Sequence, residues 1–276
     1  MLRLLIVLAL LPSTLMAQRL STHEINKIIE YVGSDVTDEF KGLLKDRRLK
    51  RTKGMVDWNI TKPVKLSLKK YAHFTEPYAN KLAKKFHKKW RKELLAAQDR
   101  FGVDARIITA ILLVETSFGR FTGEYQPLSV FASIVLDIEI FVKKKEYKTL
   151  SKSALARFDR KKKWAVAQLK AISKITKKYP GLDFLAIRGS YAGAFGKCQF
   201  LPSSFLDFAV AAKKGRTPNL FDERDAIVSV ANYLVKNGYK EKIDSEGAYK
   251  AIYHYNNSDV YVQTVRAVAK KLKKLS

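Results

Sequence analysis

Acidic residues are scarce in this chain, with 26 Asp and Glu against 53 Lys and Arg, and the formal charge is +27 over 276 residues. Such a field repels basic partners and attracts polyanions: nucleic acid, anionic lipid, or wall polymers carrying carboxylates and phosphates. Cysteine occurs once, at Cys198, so no disulfide within the chain can staple the fold and packing must hold it. Histidine occurs four times, at His23, His73, His87 and His254, none at a spacing that pairs it with Cys198 as nucleophile and base. Alternating β-branched runs bounded by turns are also few, and no repeat recurs along the chain. A β-sandwich, a disulfide scaffold and a solenoid are thereby excluded.

The one uninterrupted apolar run, Leu4–Leu11, follows Met1-Leu2-Arg3 and gives way to Pro12, Ser13, Thr14 and Ala17. It is short for a membrane span and reads as a secretory signal cut between Ala17 and Gln18, with an uncleaved anchor as the alternative. No cysteine follows it to carry a lipid. The expectation is an exported protein, periplasmic or extracellular, for which wall or membrane surface is a better polyanionic partner than nucleic acid.

What is present is helical periodicity, and the chain reads as mainly α. Helices are expected over 23–32, 37–47, 77–100, 104–116, 126–142, 160–178, 198–212, 222–237, 246–256 and 258–274, with Asp222 and Ser258 as N-caps. Between them, 48–63 is irregular and basic, and 143–156 reads as an exposed excursion rich in Lys and Ser. Lysine clusters at 143–145, 161–163, 177–178, 213–214 and 270–274 fall along helical segments, as solvated faces would.

One acid stands apart. Glu115 closes the run Thr109–Glu115 (TAILLVE) and opens the turn Thr116-Ser117-Phe118-Gly119-Arg120. A carboxyl at the end of an apolar helix faces a partly desolvated site, where it can serve as a general acid. Downstream, Gly189–Ser204 (GSYAGAFGKCQFLPSS) interleaves small residues with aromatics and an amide. Those groups suit a backbone in close approach to a sugar beside a stacking platform, and equally suit tight packing of the protein on itself.

These residues resemble the peptidoglycan lytic transglycosylases of the membrane-bound B type, which have a lysozyme-like α fold. The resemblance runs through Val114–Arg120, Gly189–Ser204, Asp225–Leu234, and Tyr255-Asn256-Asn257-Ser258 followed by Tyr261. It implies cleavage of the β-1,4 bond between N-acetylmuramic acid and N-acetylglucosamine, with a 1,6-anhydro end left on the muramyl sugar. Glu115 would be the single acid and base. Ser190, Tyr191 and Gln199 would meet the sugar, Phe200 would support that wall, and Tyr255 and Asn256 would flank Glu115. Arg160, before Trp164, would meet a lactyl or peptide carboxylate. The resemblance divides the chain into a signal at 1–17, a helical extension at 18–76 and a catalytic core at 77–276, acting as a monomer without cofactor. The stretch Ala211–Pro218 stands where some members carry a calcium loop and holds no carboxylate, so no metal is expected.

Three rivals remain on the sequence. A muramidase on the same scaffold would use water and a second carboxylate about 5–10 Å from the first, and the nearest acids in sequence are Glu124, Asp137 and Glu139. A basic wall-binding protein would use the fold without turnover. A thiol enzyme would pair Cys198 with His254.

Overall fold

In the computed structural model, which describes residues 18–52, 54, 55, 68–143, 149–240 and 242–275, side-chain caps open most of the helices. The apolar run at 4–11 and the segment before Gln18 lie outside the described residues, as does most of the basic stretch 48–63. Ser21 accepts from the Glu24 N–H while Glu24 reaches back to the Ser21 N–H, a capping box that starts α1 (Thr22–Val32). The Thr37 hydroxyl accepts from the Phe40 N–H and opens α2 (Asp38–Lys45). The two short strands β1 (Gln18–Arg19) and β2 (Lys50–Arg51) pair antiparallel between these helices and the rest.

After α3 (Leu68–Tyr71) and a 3-10 turn over Ala72–Thr75, the sequence expectation of one helix over 77–100 is corrected to two. Trp90, at φ −103° and ψ 25°, ends α4 (Pro77–Lys89) and starts α5 (Arg91–Phe101). The break lets α4 lie on α6 (Ala105–Thr116) while α5 turns to a different neighbour, α10 (Glu223–Lys236). α6 is the centre of the molecule, touched also by α5, by α10 and by α12 (Asp259–Lys270). Every residue of α6 is buried except Arg106 and Glu115. A helix apolar on all sides must be enclosed on all sides, and its one polar position near the C-terminus therefore faces a cleft.

A second layer is made by α7 (Pro127–Phe141) packed on α8 (Lys152–Lys178), with α1 and α2 laid across α8. The expected excursion over 143–156 is shorter than the sequence implied, because the Ser151 hydroxyl caps the Ala154 N–H and the helix begins at Lys152 instead of 160. The expected helix over 198–212 shrinks to α9 (Pro202–Phe208): residues before it are held in bridges of Gly189 to Phe195 and of Phe195 to Phe200. α11 (Glu246–Tyr255) leads into α12, and Asp222 and Ser258 cap α10 and α12 as expected.

Arg51 fastens the N-terminal piece to α7. Its guanidinium meets Glu24 of α1 and Asp137 of α7, with each of the three side chains less than one-fifth exposed. Arg51→Ala would leave two carboxylates desolvated and close together, and removal of one partner from such a buried set costs about 3 kcal/mol. Urea unfolding of the Arg51→Ala chain should show that loss, and Arg51→Ala combined with Asp137→Ala should recover part of it.

Candidate active site

Glu115 sits on the last turn of α6, where Ser117 (φ 49°), Phe118 (φ 64°) and Gly119 (φ 91°) follow one another in left-handed backbone. Two non-glycine residues in that region are costly and persist only where surrounding contacts impose them. Here the Thr116 hydroxyl accepts from the Gly119 N–H and donates to the Lys197 carbonyl, pinning the turn to the loop 189–200. The helix end is thus stopped abruptly and its acid left at the surface of a cleft.

That cleft, about 320 Å³, is lined by Glu115, Thr116 and Ser117 from the helix end and by Phe121 beyond it. The opposing lip comes from His73, Phe74, Glu76, Tyr78, Ala79 and Leu82. A second carboxylate, Glu76, therefore shares the cleft with Glu115. Sequence distance hid it, since the acids nearest in sequence are engaged elsewhere: Asp137 holds Arg51, and Glu139 meets Lys162 and the Tyr31 hydroxyl. Glu124 is exposed.

From beneath, the fully buried Tyr261 donates its hydroxyl to Glu115 Oε1 at 2.6 Å. Burial first, and the Glu115 charge second, push its phenol well above the ordinary range, so it remains a donor. Tyr71 of α3 packs edge-on against Tyr261, ring centroids 6.4 Å apart, and its phenol is raised by the same two causes. Tyr71 Oη and Asn256 Oδ1 are buried without a well-formed hydrogen bond, although the Asn256 amide lies close enough to act on the phenol. Neither Tyr71 nor Tyr261 was named from sequence as a site residue. Tyr261 was visible as part of a motif; Tyr71 had no local signal.

Tyr255 and Phe200 are buried completely, below the site. The Tyr255 hydroxyl donates to the Cys198 carbonyl at 2.6 Å, and its ring stacks parallel to Tyr261. Tyr255, expected to flank Glu115, meets it through the Tyr261 ring, and its own hydroxyl is committed to the loop. Cys198 is buried as an inert small hydrophobe and His254 is exposed, a poor arrangement for a thiol enzyme.

The loop 189–200 rests against the segment that follows Glu115: Tyr125 pairs with Gly189, and Gln199 Nε2 donates to the Thr122 and Gly196 carbonyls. Ser190 Oγ accepts from the Ala194 N–H, closing a turn. The glycines here permit tight packing of the protein on itself. A Cβ on Gly193 would stand 2.2 Å from the Phe131 ring, and one on Gly123 would stand 2.2 Å from the Gly189 carbonyl. Tyr191 is partly buried, which pushes its phenol up to about 12.

On α8, Arg160 is exposed, whereas its neighbour Lys161 places Nζ 3.4 Å from the centre of the Trp164 ring. Trp164 stands edge-on to Phe131, the ring under Gly193. The stretch Ala211–Pro218 is organised by the buried Asp225, which accepts from the Ala212 and Asn219 N–H groups and from Arg216. No group of three or more His, Cys, Asp or Glu side chains is placed to share a metal ion among the described residues.

Burial lowers the Lys161 amine from 10.5 to about 7. Below pH 7 both folded and unfolded chains carry the proton and the folded state bears the full cost of a buried ammonium. As pH rises from about 7 to 10.5, the folded state deprotonates first and stability increases. Lys161→Met should accordingly raise the thermal midpoint more at pH 6 than at pH 10, as differential scanning calorimetry would read.

Comparison with known proteins places this geometry. The family described as the transglycosylase SLT domain matches residues 37–247. Membrane-bound lytic murein transglycosylase B of Escherichia coli is 29% identical over 154 residues, 56% of this chain and 37% of that protein. The chain thus spans little more than a third of the length of that relative. The lytic transglycosylase SltB1 from Pseudomonas aeruginosa superposes with a TM-score of 0.71 at 21% identity, over 90% of this chain and 95% of the other. The Escherichia coli lytic transglycosylase Slt35, solved in complex with calcium, gives 0.67 at 21% identity over 90% and 91%. SltB3 from Pseudomonas aeruginosa, solved in complex with NAG-anhNAM-pentapeptide, gives 0.70 at 17% identity over 90% and 78%. The fold is that of the lytic transglycosylases, mainly α, as the sequence implied.

Proposed function

The chain belongs to the transglycosylase SLT domain family, and from that premise we propose that it is a peptidoglycan lytic transglycosylase with Glu115 as its single acid and base. The observation that carries the reading is the carboxyl of Glu115 at the mouth of the cleft, oriented by a buried tyrosine that can only donate. Its substrate is the glycan strand of peptidoglycan, and its place of action is the exported side of the cell, where that polymer lies. No helix among the described residues is long and apolar enough to cross a membrane.

In the proposed reaction the Glu115 carboxyl gives its proton to the glycosidic oxygen as the bond from that oxygen to the muramyl C1 breaks. Positive charge develops at C1, next to the Glu115 carboxylate. The same carboxylate then takes the proton of the muramyl C6 hydroxyl as O6 bonds to C1, which closes the 1,6-anhydro ring and restores the acid. No water is consumed. One carboxyl suffices because the nucleophile belongs to the substrate and is delivered at high effective molarity. Ser190, Tyr191 and Gln199 form the sugar-facing wall, with Phe200 and Tyr255 supporting it from below. Asn256 flanks the acid, and Tyr71 packs against the tyrosine that holds it. Arg160, exposed on α8, receives a lactyl or peptide carboxylate.

One observation favours a muramidase as the second reading: Glu76 lines the cleft with Glu115 and would offer a base for water. The two readings differ in product mass by one water. Mass spectrometry of muropeptides released from purified sacculi should show anhydro ends, and reducing ends from the wild-type chain would overturn the lyase assignment. Glu115→Gln should lose roughly 100-fold or more in rate, the share of a general acid. Glu76→Gln should leave the rate and the anhydro product intact, whereas a hydrolase would lose turnover in that variant too. Tyr261→Phe removes one hydrogen bond to a charged group and should lower kcat on the order of tenfold or somewhat more, with folding checked by circular dichroism.

A further inference from the structure

Four large hydrophobic side chains stand exposed among the described residues, and two of them, Tyr78 at 64% and Phe121 at 48%, line the cleft that holds Glu115. Single exposed aromatics need no explanation; a pair on the two lips of one cleft does. Phe121 is fixed through its N–H, which donates to the Thr116 carbonyl one residue from the acid. Tyr78, at the start of α4, is held by the Arg120 guanidinium, which donates to its hydroxyl at 2.7 Å across the mouth of the cleft. Both rings thus have fixed bases and free faces.

We propose that Tyr78 and Phe121 form a stacking subsite for an acetamido-sugar ring next to the one being cleaved, and that the strand continues from Tyr78 along α4. This rests on the transglycosylase reading. Aromatic faces bind the C–H surfaces of pyranose rings, and the ring edges here lie at the cleft in which the glycosidic bond must sit. The direction of the strand comes from charge. Lys81, Lys85 and Lys88 follow Tyr78 at helical spacings of three, seven and ten, all exposed, and α4 contains no acidic residue. Aromatic first and cationic thereafter, this stripe matches a polymer of sugar rings with pendant carboxylates better than it matches a neutral glycan.

Two ligands separate the parts of the proposal: neutral N-acetylglucosamine oligomers, and intact peptidoglycan sacculi. Tyr78→Ala and Phe121→Ala should each weaken oligomer binding, followed by calorimetric titration, by about tenfold. On sacculi they should raise KM by a similar factor with kcat nearly unchanged. Tyr78→Phe, which keeps the ring and loses only the bond to Arg120, should retain most of the affinity. The triple variant Lys81→Gln, Lys85→Gln, Lys88→Gln should leave oligomer binding alone, weaken binding to sacculi at low salt, and lose its difference from wild type at high salt. If both alanine variants bind oligomers and sacculi as the wild type does while wild type turns over, the subsite is overturned and the enzyme reading stands. If wild type binds oligomers through these rings but releases no muropeptides, the subsite stands and the enzyme reading falls.

Discussion

The hydrogen bond from Tyr261 to Glu115 is the contact around which the molecule is arranged. It needs a phenol buried deeply enough to stay protonated and a carboxyl left at the surface. Both conditions follow from the packing of α12 on α6. α6 is enclosed by four other helices, so its apolar residues have nowhere to go but inward and its terminal acid has only the cleft. The left-handed run after it ends the helix within a turn, and the Thr116 hydroxyl holds that end to Lys197. A carboxyl so placed keeps one oxygen oriented by the protein.

The same aromatic column also carries the loop 189–200. Tyr255 stacks on Tyr261 and hydrogen-bonds the Cys198 carbonyl, while Phe200 and Tyr233 pack against Tyr255. The acid and the loop 189–200 are therefore referenced to one group of packed rings. The glycines of the loop contribute by letting backbone meet backbone or ring at distances no side chain would allow.

Electrostatics divides the surface from the interior. The excess of lysine lies outward, as on α4, whereas several of the few acids hold elements together: Glu24 and Asp137 through Arg51, Glu139 through Lys162, Asp225 through Arg216. Glu115 is set off from these by its tyrosine partner, and Glu76 by its exposure at the rim of the cleft. The exterior is thus strongly basic, while the partners packed beneath Glu115 are neutral phenols.

The helical class, the caps at Asp222 and Ser258, and the singular position of Glu115 were legible in the sequence, because periodicity, capping and an acid ending an apolar run are local signals. The break at Trp90 and the early start at Lys152 were decided by packing and by a single hydroxyl, against weak helical patterns. The remaining assignments were matters of distance in space. Tyr71 reaches the acid from 44 positions away, Tyr261 from 146, and Glu76 enters the cleft on a lip that no spacing rule connects to α6. That the Tyr255 hydroxyl meets the Cys198 carbonyl while its ring stacks on the residue that touches Glu115 is likewise a matter of packing in space. Only the tertiary structure could supply that, because a side chain's type records what it can bond and its surroundings determine what it does.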